Sequence, residues 1–465
     1  MGANEVRAPA VKPIAGTEFS PREIEDAVRR GGLLSLELEM TRACNLRCIY
    51  CYAQAGEPME NEIRFEELVD AVQQATDLGA RKMVVLGGGE PCLYREFRRL
   101  VDYLADLDTV VEVFTNGTLI DRDLAGFLYD RGVSVVVKRN SGDPQTQDAL
   151  AGSPGTFDQI RNGLNLLLEA GYPDENHGMG VQTVICRRNL AEIPQLWRWA
   201  RRRGITPYFE CMTLQGRAAH TESLHVTTAE VRRVFAELCR IDREEFGLAW
   251  TPHPPLVALS CSRHLYSMVV KANGDLYPCV GVTIPVGNIR RERLADVIRN
   301  SPVIDDLRHV YERIKGPCRN CRYNGLCYGC RGNAYQLTGD YLASDPCCWV
   351  PGEAAEEAQE DGCAEECSRG PASEPNVLCR SLCDFMRTQL VAEGVVFDED
   401  TSFAAVGLDS LGLMELLLFV ERRFGVEVPE AELTRANLHS VRAFAECVGR
   451  LSGLGTAASG EAGGP

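Results

Sequence analysis

Three cysteines near the N-terminus have a spacing that suits iron. They are Cys44, Cys48 and Cys51 in the pattern Cys-x-x-x-Cys-x-x-Cys, and Tyr50 stands just before the last one. Three thiolates on one loop can hold three irons of a four-iron cluster and leave the fourth iron open to a non-protein ligand. A structural zinc site would instead use four protein ligands. The spacing therefore favours a catalytic iron–sulfur cluster over zinc.

A second group of cysteines lies between residues 261 and 348. Its members are Cys261, Cys279, Cys318, Cys321, Cys327, Cys330, Cys347 and Cys348. The four cysteines within 318–330 predict a metal site, and two zinc ribbons are one interpretation of the whole group. Iron–sulfur clusters are favoured because the three-cysteine loop precedes this group in the same chain. Two further cysteines, Cys363 and Cys367, are interpreted as loose thiols.

Strand-like runs alternate with helical runs from Leu34 to about Leu214, which predicts an α/β fold with a parallel sheet. The predicted strands are 34–40, 82–88, 110–117, 133–138, 181–186 and 205–214, and the helices between them are 65–79, 96–107, 121–132, 157–171 and 190–204. In such sheets ligands bind at the carboxyl ends of the strands. The three-cysteine loop follows the first strand, so we expect the site at that edge.

Polar motifs follow the next three strands. They are Gly87-Gly88-Gly89-Glu90-Pro91, Thr115-Asn116-Gly117 and Lys138-Arg139-Asn140-Ser141. Together with the cysteine loop, these motifs resemble those of the radical S-adenosylmethionine (radical SAM) superfamily. The resemblance implies a partial (β/α)6 TIM-like barrel, a [4Fe-4S] cluster on the three cysteines, and S-adenosylmethionine as cofactor. It also implies an electron donor of the flavodoxin or ferredoxin type.

The resemblance assigns roles to the cofactor-binding residues. The carbonyls of Gly87, Gly88 and Gly89 would approach the methionine ammonium, and Glu90 would accept a hydrogen bond from it. Tyr50 and Asn116 would contact the cofactor, and Ser141 with one neighbouring basic residue would meet its ribose and carboxylate. The implied chemistry is reductive cleavage of a carbon–sulfur bond, giving methionine and a 5′-deoxyadenosyl radical that takes hydrogen from a substrate C–H.

The second cysteine group resembles the SPASM extension of radical SAM enzymes. Four residues separate Gly274 from Cys279, and the group ends in Asp345-Pro346-Cys347-Cys348. The resemblance implies two auxiliary [4Fe-4S] clusters, which makes three clusters in all. Auxiliary cluster I would use Cys261, Cys279 and Cys330, and auxiliary cluster II would use Cys318, Cys321, Cys327 and Cys348, with Cys347 as the alternative to Cys348. The motif 215–218 would mark the junction of the two domains.

Auxiliary cluster I lacks a fourth cysteine, since none stands between Cys261 and Cys279. His264 could fill the position, a substrate group could fill it, or it could stay open. Our hypothesis is that it stays open and lies close to the substrate.

The C-terminal segment 376–450 contains Gly407-Leu408-Asp409-Ser410 ahead of an apolar helical run. Ser410 suits a helix N-cap. The segment also resembles acyl and peptidyl carrier proteins, in the turn at 400–403 and the ending at 424–429. The resemblance implies a small all-α helical bundle with 4′-phosphopantetheine on Ser410 and partner recognition by Asp409. It implies a phosphopantetheinyl transferase and an adenylating or acyl-loading enzyme as partners.

Charge and composition set limits on class. Residues 353–465 hold 21 acidic and 8 basic residues, a net of −13, which leaves −4 of the total −17 for the rest. An acidic carrier fits basic partner surfaces, whereas nucleic-acid binding would need basic patches. With no secretory segment and no apolar run of about 20 residues, we expect a cytoplasmic protein without a membrane partner, in which the 20 cysteines stay reduced.

The predicted domains follow one another in six segments. They are an N-terminal extension (1–33), a radical SAM partial barrel (34–225), an irregular SPASM domain (226–352), an acidic flexible linker (353–375), a carrier domain (376–452) and a disordered tail (453–465). The fusion predicts an enzyme whose substrate is an aminoacyl or acyl thioester on a carrier, in natural-product biosynthesis.

Two alternatives remain open. One is a maturase that cross-links or epimerises a ribosomal peptide, with the carrier as a docking module. The other is a scaffold with a structural metal domain. Possible hydrogen donors near strand ends are Cys92, Cys186, Cys211 and Tyr208, and none of them is favoured over its packing role.

Overall fold

The computed structural model describes most of the first 350 residues and parts of the C-terminal segment. The described residues are 19–350 without 108, 249 and 251–260, then 378–379, 382–383, 385–386, 390–391, 397–403, 405–406, 408, 410–424, 426, 428–429, 432–434 and 436–451. The predicted linker, the tail, Cys363, Cys367, Gly407 and Asp409 lie outside them. The chain divides into two compact units, Met1–Cys321 with Leu326–Ala355, and Arg322–Gly325 with Glu356–Pro465.

All six predicted strands are present, in the predicted order. They are β1 (Ser35–Leu38), β2 (Lys82–Val85), β3 (Val110–Thr115), β4 (Ser134–Lys138), β5 (Met179–Ile185) and β6 (Thr206–Cys211). Each pairs in parallel with its neighbour in sequence. The sheet is open, with β6 at one edge, so the α/β prediction of a partial barrel is confirmed. All six strands end at the same edge, which is where the polar motifs begin.

Helices alternate with these strands, as predicted. They are α1 (Pro21–Arg30), α2 (Phe65–Asp77), α3 (Phe97–Ala105), α4 (Arg122–Asp130), α5 (Pro144–Ala151), α6 (Thr156–Ala170), α7 (Ile193–Arg201) and α8 (Thr228–Ile241). The sequence analysis missed α1 and α5. Both begin with proline at the first helical position after a capping side chain, Ser20 and Asp143, which is a recognised N-terminal signature.

Alternate strand residues face two different environments. Leu36, Leu38, Val135 and Val137 belong to the large core between the sheet and its helices. Val136, one residue out of phase, belongs to a small cluster on the inner face with Val84, Phe114 and Tyr208. This two-residue period leaves the other inner positions near the carboxyl ends for polar side chains.

The region after α8 is more regular than predicted. Strand β7 (Ser267–Val270) pairs in parallel with β1, and β8 (Asp275–Tyr277) and β9 (Gly287–Asn288) continue the sheet in antiparallel fashion. The sheet therefore has nine strands in the order β6-β5-β4-β3-β2-β1-β7-β8-β9. Strands of two to four residues are too short to show an alternating pattern, so the sequence analysis interpreted this stretch as irregular.

Short helices complete this region. They are α9 (Arg263–Tyr266), α10 (Leu294–Asn300), α11 (Pro302–Arg308), α12 (Val310–Arg313) and α13 (Arg331–Thr338). A separate cluster in which Leu265, Tyr266 and Tyr328 pack with Leu34 and Val310 holds α9 near the start of β1.

The C-terminal unit has helices α14 (Ser410–Phe424) and α15 (Val441–Leu451). Its core includes Leu416, Val420 and Phe444, all fully buried, together with residues of the 378–386 segment. Ser410 is the first residue of α14. Two positions earlier, the amide of Leu408 donates to the carbonyl of Phe403 over 3.0 Å.

Candidate active site

The cysteine loop is held by backbone hydrogen bonds after β1. The amide of Cys44 donates to the Gly56 carbonyl over 2.9 Å, and the amide of Cys51 donates to the Cys48 carbonyl over 3.2 Å. Burial raises the pKa of the Cys48 thiol to about 11 and raises that of Cys44. Because cysteine binds a metal as a thiolate, iron bound here would displace protons.

The glycine motif lies directly against the cysteine loop. The amide of Gly89 donates to the Thr41 carbonyl over 2.7 Å, and the amide of Glu90 donates to the Ala43 carbonyl over 2.8 Å. A Cβ atom on Gly89 would stand 2.1 Å from that Ala43 oxygen, so only glycine permits this approach. The two predicted motifs therefore meet, one residue before Cys44.

Glu90 links the second strand motif to the third. It is 1% exposed; its Oε1 accepts from the Thr115 hydroxyl over 2.7 Å and its Oε2 from the Asn116 amide over 2.8 Å. The Cys92 amide also donates to Oε1, over 3.2 Å. Burial raises the pKa of this carboxyl. Glu90 is thus already a positioning residue for the Thr-Asn-Gly turn, and its predicted contact with an ammonium would add a fourth hydrogen bond.

Asn45 connects the cysteine loop to the Thr-Asn-Gly turn. The sequence analysis did not identify it. It lies inside the cysteine loop, and its Oδ1 accepts from Asn116 Nδ2 over 2.8 Å. Its own Nδ2 donates to the Thr118 hydroxyl over 2.8 Å. The predicted site residue Asn116 is therefore oriented by the cysteine loop. The only sequence clue was an amide side chain between two candidate ligands.

The fourth strand contributes through a residue that was not singled out. Asn140 is fully buried, and its Nδ2 donates to the Tyr50 hydroxyl over 2.6 Å. The Lys138 ammonium lies 5.5 Å from the centre of the Tyr50 ring. Tyr50, predicted to bind cofactor, is thereby fixed from β4.

Ser141 is engaged within the protein. It is fully buried, and its hydroxyl donates to the Glu192 carboxylate over 2.7 Å. Arg139 packs its guanidinium against Trp199, 4.2 Å from the ring centre, so Lys138 is the basic residue of this motif on the cysteine side. Cofactor contact by Ser141 stays a prediction, and in this arrangement the side chain orders the loop after β4.

Charged side chains occupy the inner face of the sheet, each with a partner. Arg263 donates to Glu37 over 3.1 Å and to the Tyr208 hydroxyl over 2.8 Å. Lys271 pairs with Glu39 at 2.7 Å. Tyr208 on β6, one of the candidate hydrogen donors, therefore contacts the segment that follows Cys261.

A second charged group stands at the ends of β4, β5 and β6. Lys138 lies 3.7 Å from Glu210, and Gln182 donates to Glu210 over 2.6 Å. Burial lowers the pKa of Lys138 and raises that of Glu210. A polar substrate that reaches this face can form hydrogen bonds to both the Lys138 ammonium and the Glu210 carboxylate. Such hydrogen bonds are stronger within a protein than in water.

The motif at 215–218 connects the cysteine loop to the auxiliary region. The Arg217 guanidinium donates to the carbonyls of Cys48 and Ala55 over 2.7 and 2.9 Å. Gln215 donates from Nε2 to the carbonyl of Val280 over 3.0 Å, the residue next to Cys279. The motif thus contacts both predicted cluster regions.

The auxiliary cysteines fall into two neighbourhoods. Burial raises the pKa of Cys330 well above its usual value, and the thiols of Cys279 and Cys261 add to this effect. Burial likewise raises the pKa of Cys327 to about 11, with contributions from Cys318 and Cys321. The two ligand sets stay a prediction, and these neighbourhoods agree with them. No three His, Cys, Asp or Glu side chains among the described residues form a site for a single metal ion.

Cys347 and Cys348 face different surroundings. Burial raises the pKa of Cys348 to about 12, and Cys318 and Cys327 contribute to that rise. Burial also raises the pKa of Cys211 at the end of β6, with Cys347 as its next contributor. Cys348 is therefore near Cys318 and Cys327 of the second ligand set, whereas Cys347 is near Cys211 at the end of β6. This favours Cys348 as the ligand of auxiliary cluster II.

Unpartnered buried nitrogens beside these cysteines show that an anionic group fits there. Arg331 is fully buried, and its Nη1 donates to the Tyr341 and Ala343 carbonyls over 3.0 and 2.6 Å. Its Nε and Nη2, and Asn333 Nδ2, have no hydrogen-bond partner within the described part of the chain. The buried Asp345 is a counter-charge for this guanidinium, which opposes the rise that burial gives to the pKa of Asp345, but buried donors without acceptors are still costly. The sulfides of an iron–sulfur cluster on Cys330 would supply such acceptors.

The other candidate hydrogen donors have packing contacts. The Cys92 thiol lies 3.9 Å from the Thr115 hydroxyl, close to Glu90. Cys186 is buried in a small cluster with Tyr50 and Leu150. The predictions for these residues are not tested by their positions.

Family models match three parts of the chain, in the predicted order. The radical SAM superfamily model matches residues 38–200, an iron–sulfur cluster-binding domain (SPASM) matches 261–322, and a phosphopantetheine attachment site matches 378–448. The predicted fusion of these three regions is confirmed. The structure describes no helix long and apolar enough to cross a membrane.

Known proteins resemble the first two regions. An AdoMet-dependent heme synthase of Methanosarcina barkeri is 27% identical, covering 68% of this chain and 96% of its own length. The mycofactocin maturase MftC of Mycolicibacterium smegmatis is also 27% identical, covering 66% of this chain and 81% of its own. SuiB of Streptococcus suis, solved with S-adenosylmethionine, aligns with a TM-score of 0.55 and 20% identity over 69% of this chain and 78% of its own. That likeness shows the fold.

Proposed function

We propose that this chain, a radical SAM enzyme joined to a SPASM region and a phosphopantetheine attachment domain, acts on a carrier-bound substrate. The substrate class is an aminoacyl or acyl group held as a thioester on 4′-phosphopantetheine at Ser410, in natural-product biosynthesis. The observation that carries this proposal is the attachment domain at 378–448 in the same chain as the radical SAM region.

The cofactor site proposed here uses the residues that the strand ends bring together. Cys44, Cys48 and Cys51 would hold a [4Fe-4S] cluster, and the carbonyls of Gly87–Gly89 with Glu90 would receive the amino group of S-adenosylmethionine. When bound and reduced, these groups supply a 5′-deoxyadenosyl radical that abstracts hydrogen. The hydrogen bonds of the Gly89 and Glu90 amides to the cysteine loop keep the two halves of this site in register.

The inner face of the sheet would orient the substrate. Lys138 and Glu210 offer opposite charges 3.7 Å apart, near the β4 and β6 ends. Each side chain is 22% exposed, so the pair is open to a substrate that reaches this face. We assign a positioning role to this pair, since no general base is identified.

Two auxiliary [4Fe-4S] clusters would lie in the SPASM region. Cys261, Cys279 and Cys330 would serve cluster I, and Cys318, Cys321, Cys327 and Cys348 would serve cluster II. Such clusters would pass electrons to or from a substrate radical. An electron donor of the flavodoxin or ferredoxin type would supply the first electron.

Tethering would work through local concentration. A substrate on Ser410 is part of the same molecule as the barrel, so its encounter is intramolecular and independent of dilution. A phosphopantetheinyl transferase would install the arm and an adenylating or acyl-loading enzyme would charge it. Ser410 is the first residue of α14, which has 15 residues.

Intact-mass analysis tests the proposal. The chain is treated with a phosphopantetheinyl transferase and coenzyme A, charged with candidate aminoacyl groups, and incubated anaerobically with S-adenosylmethionine and a reductant. We expect one arm on Ser410, none in Ser410→Ala, and a mass change on the charged group. Ser402→Ala, a matched serine in the same unit, should keep the arm. Absence of an arm on the wild-type chain, or full substrate turnover by Ser410→Ala, would sink the tethering proposal.

Peptide maturation is the second candidate, and the relative MftC favours it because its name is that of a maturase. In that case the carrier domain would act as a docking module. A free ribosomal peptide would then be modified by Ser410→Ala as well as by the wild-type chain. Turnover only of the carrier-bound group would exclude this candidate.

A further inference from the structure

Three arginines and two aromatic rings form a continuous stripe beside the end of β4. Its members in spatial order are Arg161, Phe157, Arg139, Trp199 and Arg203, and we call it the arginine–aromatic stripe. The Arg161 and Arg139 guanidiniums lie 5.7 and 5.6 Å from the centre of the Phe157 ring. Those of Arg139 and Arg203 lie 4.2 and 5.0 Å from the centre of the Trp199 ring. Each ring is therefore bordered by two cations.

Two helices and one strand end supply these side chains. Phe157 and Arg161 lie one turn apart on α6, and Arg203 comes four positions after Trp199, just past the end of α7. Arg139 follows β4 and contacts both rings. Trp199 packs against the core between the sheet and its helices. The stripe is therefore on the helical side of the sheet, opposite to the inner face that a substrate would have to reach.

Positive charge in the stripe is neutralised in part within the protein. Arg161 pairs with Asp158 at 2.9 Å, and both side chains are more than half exposed. Arg139 and Arg203 donate to backbone carbonyls and form no ion pair within the part of the chain that the structure describes. Burial lowers the pKa of Arg139 to about 10, and the charges of Arg203 and Arg161 add to this effect while Glu192 opposes it. An anionic partner would relieve the repulsion between these guanidiniums.

A short path joins the stripe to the first cysteine loop. Arg139 precedes Asn140, whose Nδ2 donates to the Tyr50 hydroxyl over 2.6 Å, and Tyr50 precedes Cys51. Along this path a single hydrogen bond separates the stripe from the loop that would hold the first cluster. Electrons cross proteins efficiently over short distances, so a donor bound at the stripe would be well placed to reduce that cluster.

The residue types in the stripe suit a protein partner. Arginine and tryptophan are enriched among the side chains that contribute most to binding at protein interfaces. A surface of one charge steers an oppositely charged protein towards it and raises the association rate. Fast and short-lived association suits a redox protein, since it must leave after each electron and its interface is small. A carrier domain that delivers a substrate would instead need access to the inner face.

We propose that the arginine–aromatic stripe is the docking surface for the electron donor, and that the donor is a small redox protein with an acidic surface. In the complex the donor loses one electron and the first cluster gains it, and no bond forms or breaks. This inference rests on the first cluster of the proposed function and is independent of the carrier-bound substrate.

Binding and reduction measurements on the full chain test this inference, with an acidic flavodoxin and an acidic ferredoxin as probes. The variant Arg161→Glu/Arg203→Glu reverses two exposed charges of the stripe. Arg29→Glu/Arg122→Glu changes the net charge equally at two exposed arginines outside it. At low salt we expect the stripe variant to bind the probes about tenfold or more weakly, and to take electrons from them more slowly in stopped-flow absorbance. Both differences should shrink at high salt, where exposed charges are screened.

Three controls separate docking from other causes. Reduced benzyl viologen, a small donor that needs no docking surface, should reduce the wild-type chain and the stripe variant at equal rates, which shows that the clusters are intact. The neutral variant Arg161→Gln/Arg203→Gln should give a smaller effect in the same direction, and it decides the question if the charge-reversed protein loses its clusters. Cys44→Ala/Cys48→Ala/Cys51→Ala should keep the affinity for the probes, and its electron uptake gives the share due to auxiliary clusters.

Several results would overturn the proposal. They are equal probe affinity in the wild-type chain and the stripe variant at low salt, an equal loss in Arg29→Glu/Arg122→Glu, and no binding of either probe by the wild-type chain. Unchanged probe binding together with weaker binding of a separately supplied acidic carrier protein would also overturn it, because the stripe would then serve a different partner. Normal reduction by viologen in any of these cases would leave the first cluster of the proposed function intact.

Discussion

Replacing Glu90 with glutamine should weaken both the fold and cofactor binding, by amounts that the contacts allow to be worked out. Glu90 accepts three hydrogen bonds, from Thr115, Asn116 and Cys92. In Glu90→Gln the amide oxygen can keep the Asn116 amide, and the Thr115 hydroxyl can turn to accept from the new NH2 group. The Cys92 amide then faces a donor.

The loss of folding stability therefore has two sources. The Cys92 amide becomes unsatisfied, and the hydrogen bonds with Thr115 and Asn116 no longer involve a charged group. An unsatisfied buried donor costs about 1–3 kcal/mol, so we expect the free energy of unfolding to fall by roughly 2 kcal/mol. The carboxylate also makes the predicted contact with the methionine ammonium. Hydrogen bonds to charged groups contribute about 1.5–3 kcal/mol, so the Kd for S-adenosylmethionine should rise about tenfold or more.

Two measurements separate these effects. Anaerobic denaturation gives the unfolding free energy, and equilibrium binding of S-adenosylmethionine to the reconstituted protein gives the Kd. Glu62→Gln is the matched control, since Glu62 also accepts three hydrogen bonds, from Thr41, Arg42 and Met59. It should lower stability but leave cofactor affinity within about threefold. Equal affinity in wild type and Glu90→Gln would refute the ammonium contact, and equal stability would refute the positioning role.

Three further predictions concern other parts of the fold. Arg290 makes two hydrogen bonds to Glu67 and holds the pKa of that carboxyl down to about 2; Arg290→Met should cost about 1–2 kcal/mol at pH 7, and the part of this difference that comes from Glu67 should disappear as the pH falls from 4.5 through 2 in denaturation curves, while the part from the Arg290 bonds to the Asn273, Asn61 and Glu62 carbonyls remains. The lowered pKa means that the stabilisation is present above the unfolded value and lost on protonation. Asn140→Ala leaves the Tyr50 hydroxyl without its 2.6 Å donor and the buried Val184 amide without its acceptor, so it should lower the melting temperature and also slow deoxyadenosine release with dithionite in the protein that remains folded; an unchanged rate per folded molecule would contradict the role of Asn140 in fixing Tyr50. Arg331→Met removes a buried cation and should lower an auxiliary midpoint potential, by about 60 mV for each 1.4 kcal/mol of lost stabilisation, in an EPR-monitored titration; an unchanged potential would show that the guanidinium does not face a cluster.

The six-strand core was predictable because each strand is a short apolar run bounded by turn residues. β4 shows this well, since Val135, Val136 and Val137 are all buried and the motif begins at Lys138. β7 was not predictable in the same way. Ser267–Val270 has four residues, and its partner β1 is more than 200 positions away, so nothing local indicates the pairing.

The site was predictable as a set of motifs and less so as a set of contacts. The glycine motif and the cysteine loop meet as expected, because both follow neighbouring parallel strands. Asn45 was missed, and Asn140 was quoted in the motif after β4 but given no role, since a single asparagine gives no spacing pattern. The engagement of Ser141 by Glu192 depends on a carboxylate 51 positions later, which tertiary packing alone brings close.

Strand β7 has a consequence for electron movement. It begins six residues after Cys261, ends nine before Cys279, and is hydrogen-bonded to β1, which leads into the cysteine loop. The first cysteine set follows β1, and two of the three cysteines of auxiliary set I, Cys261 and Cys279, flank the adjacent strand β7. Tunnelling rates fall steeply with separation, so a path between these two sets would be fixed by the backbone ladder during catalysis. Substrate delivery can then vary from one turnover to the next while the electronic route keeps a constant length.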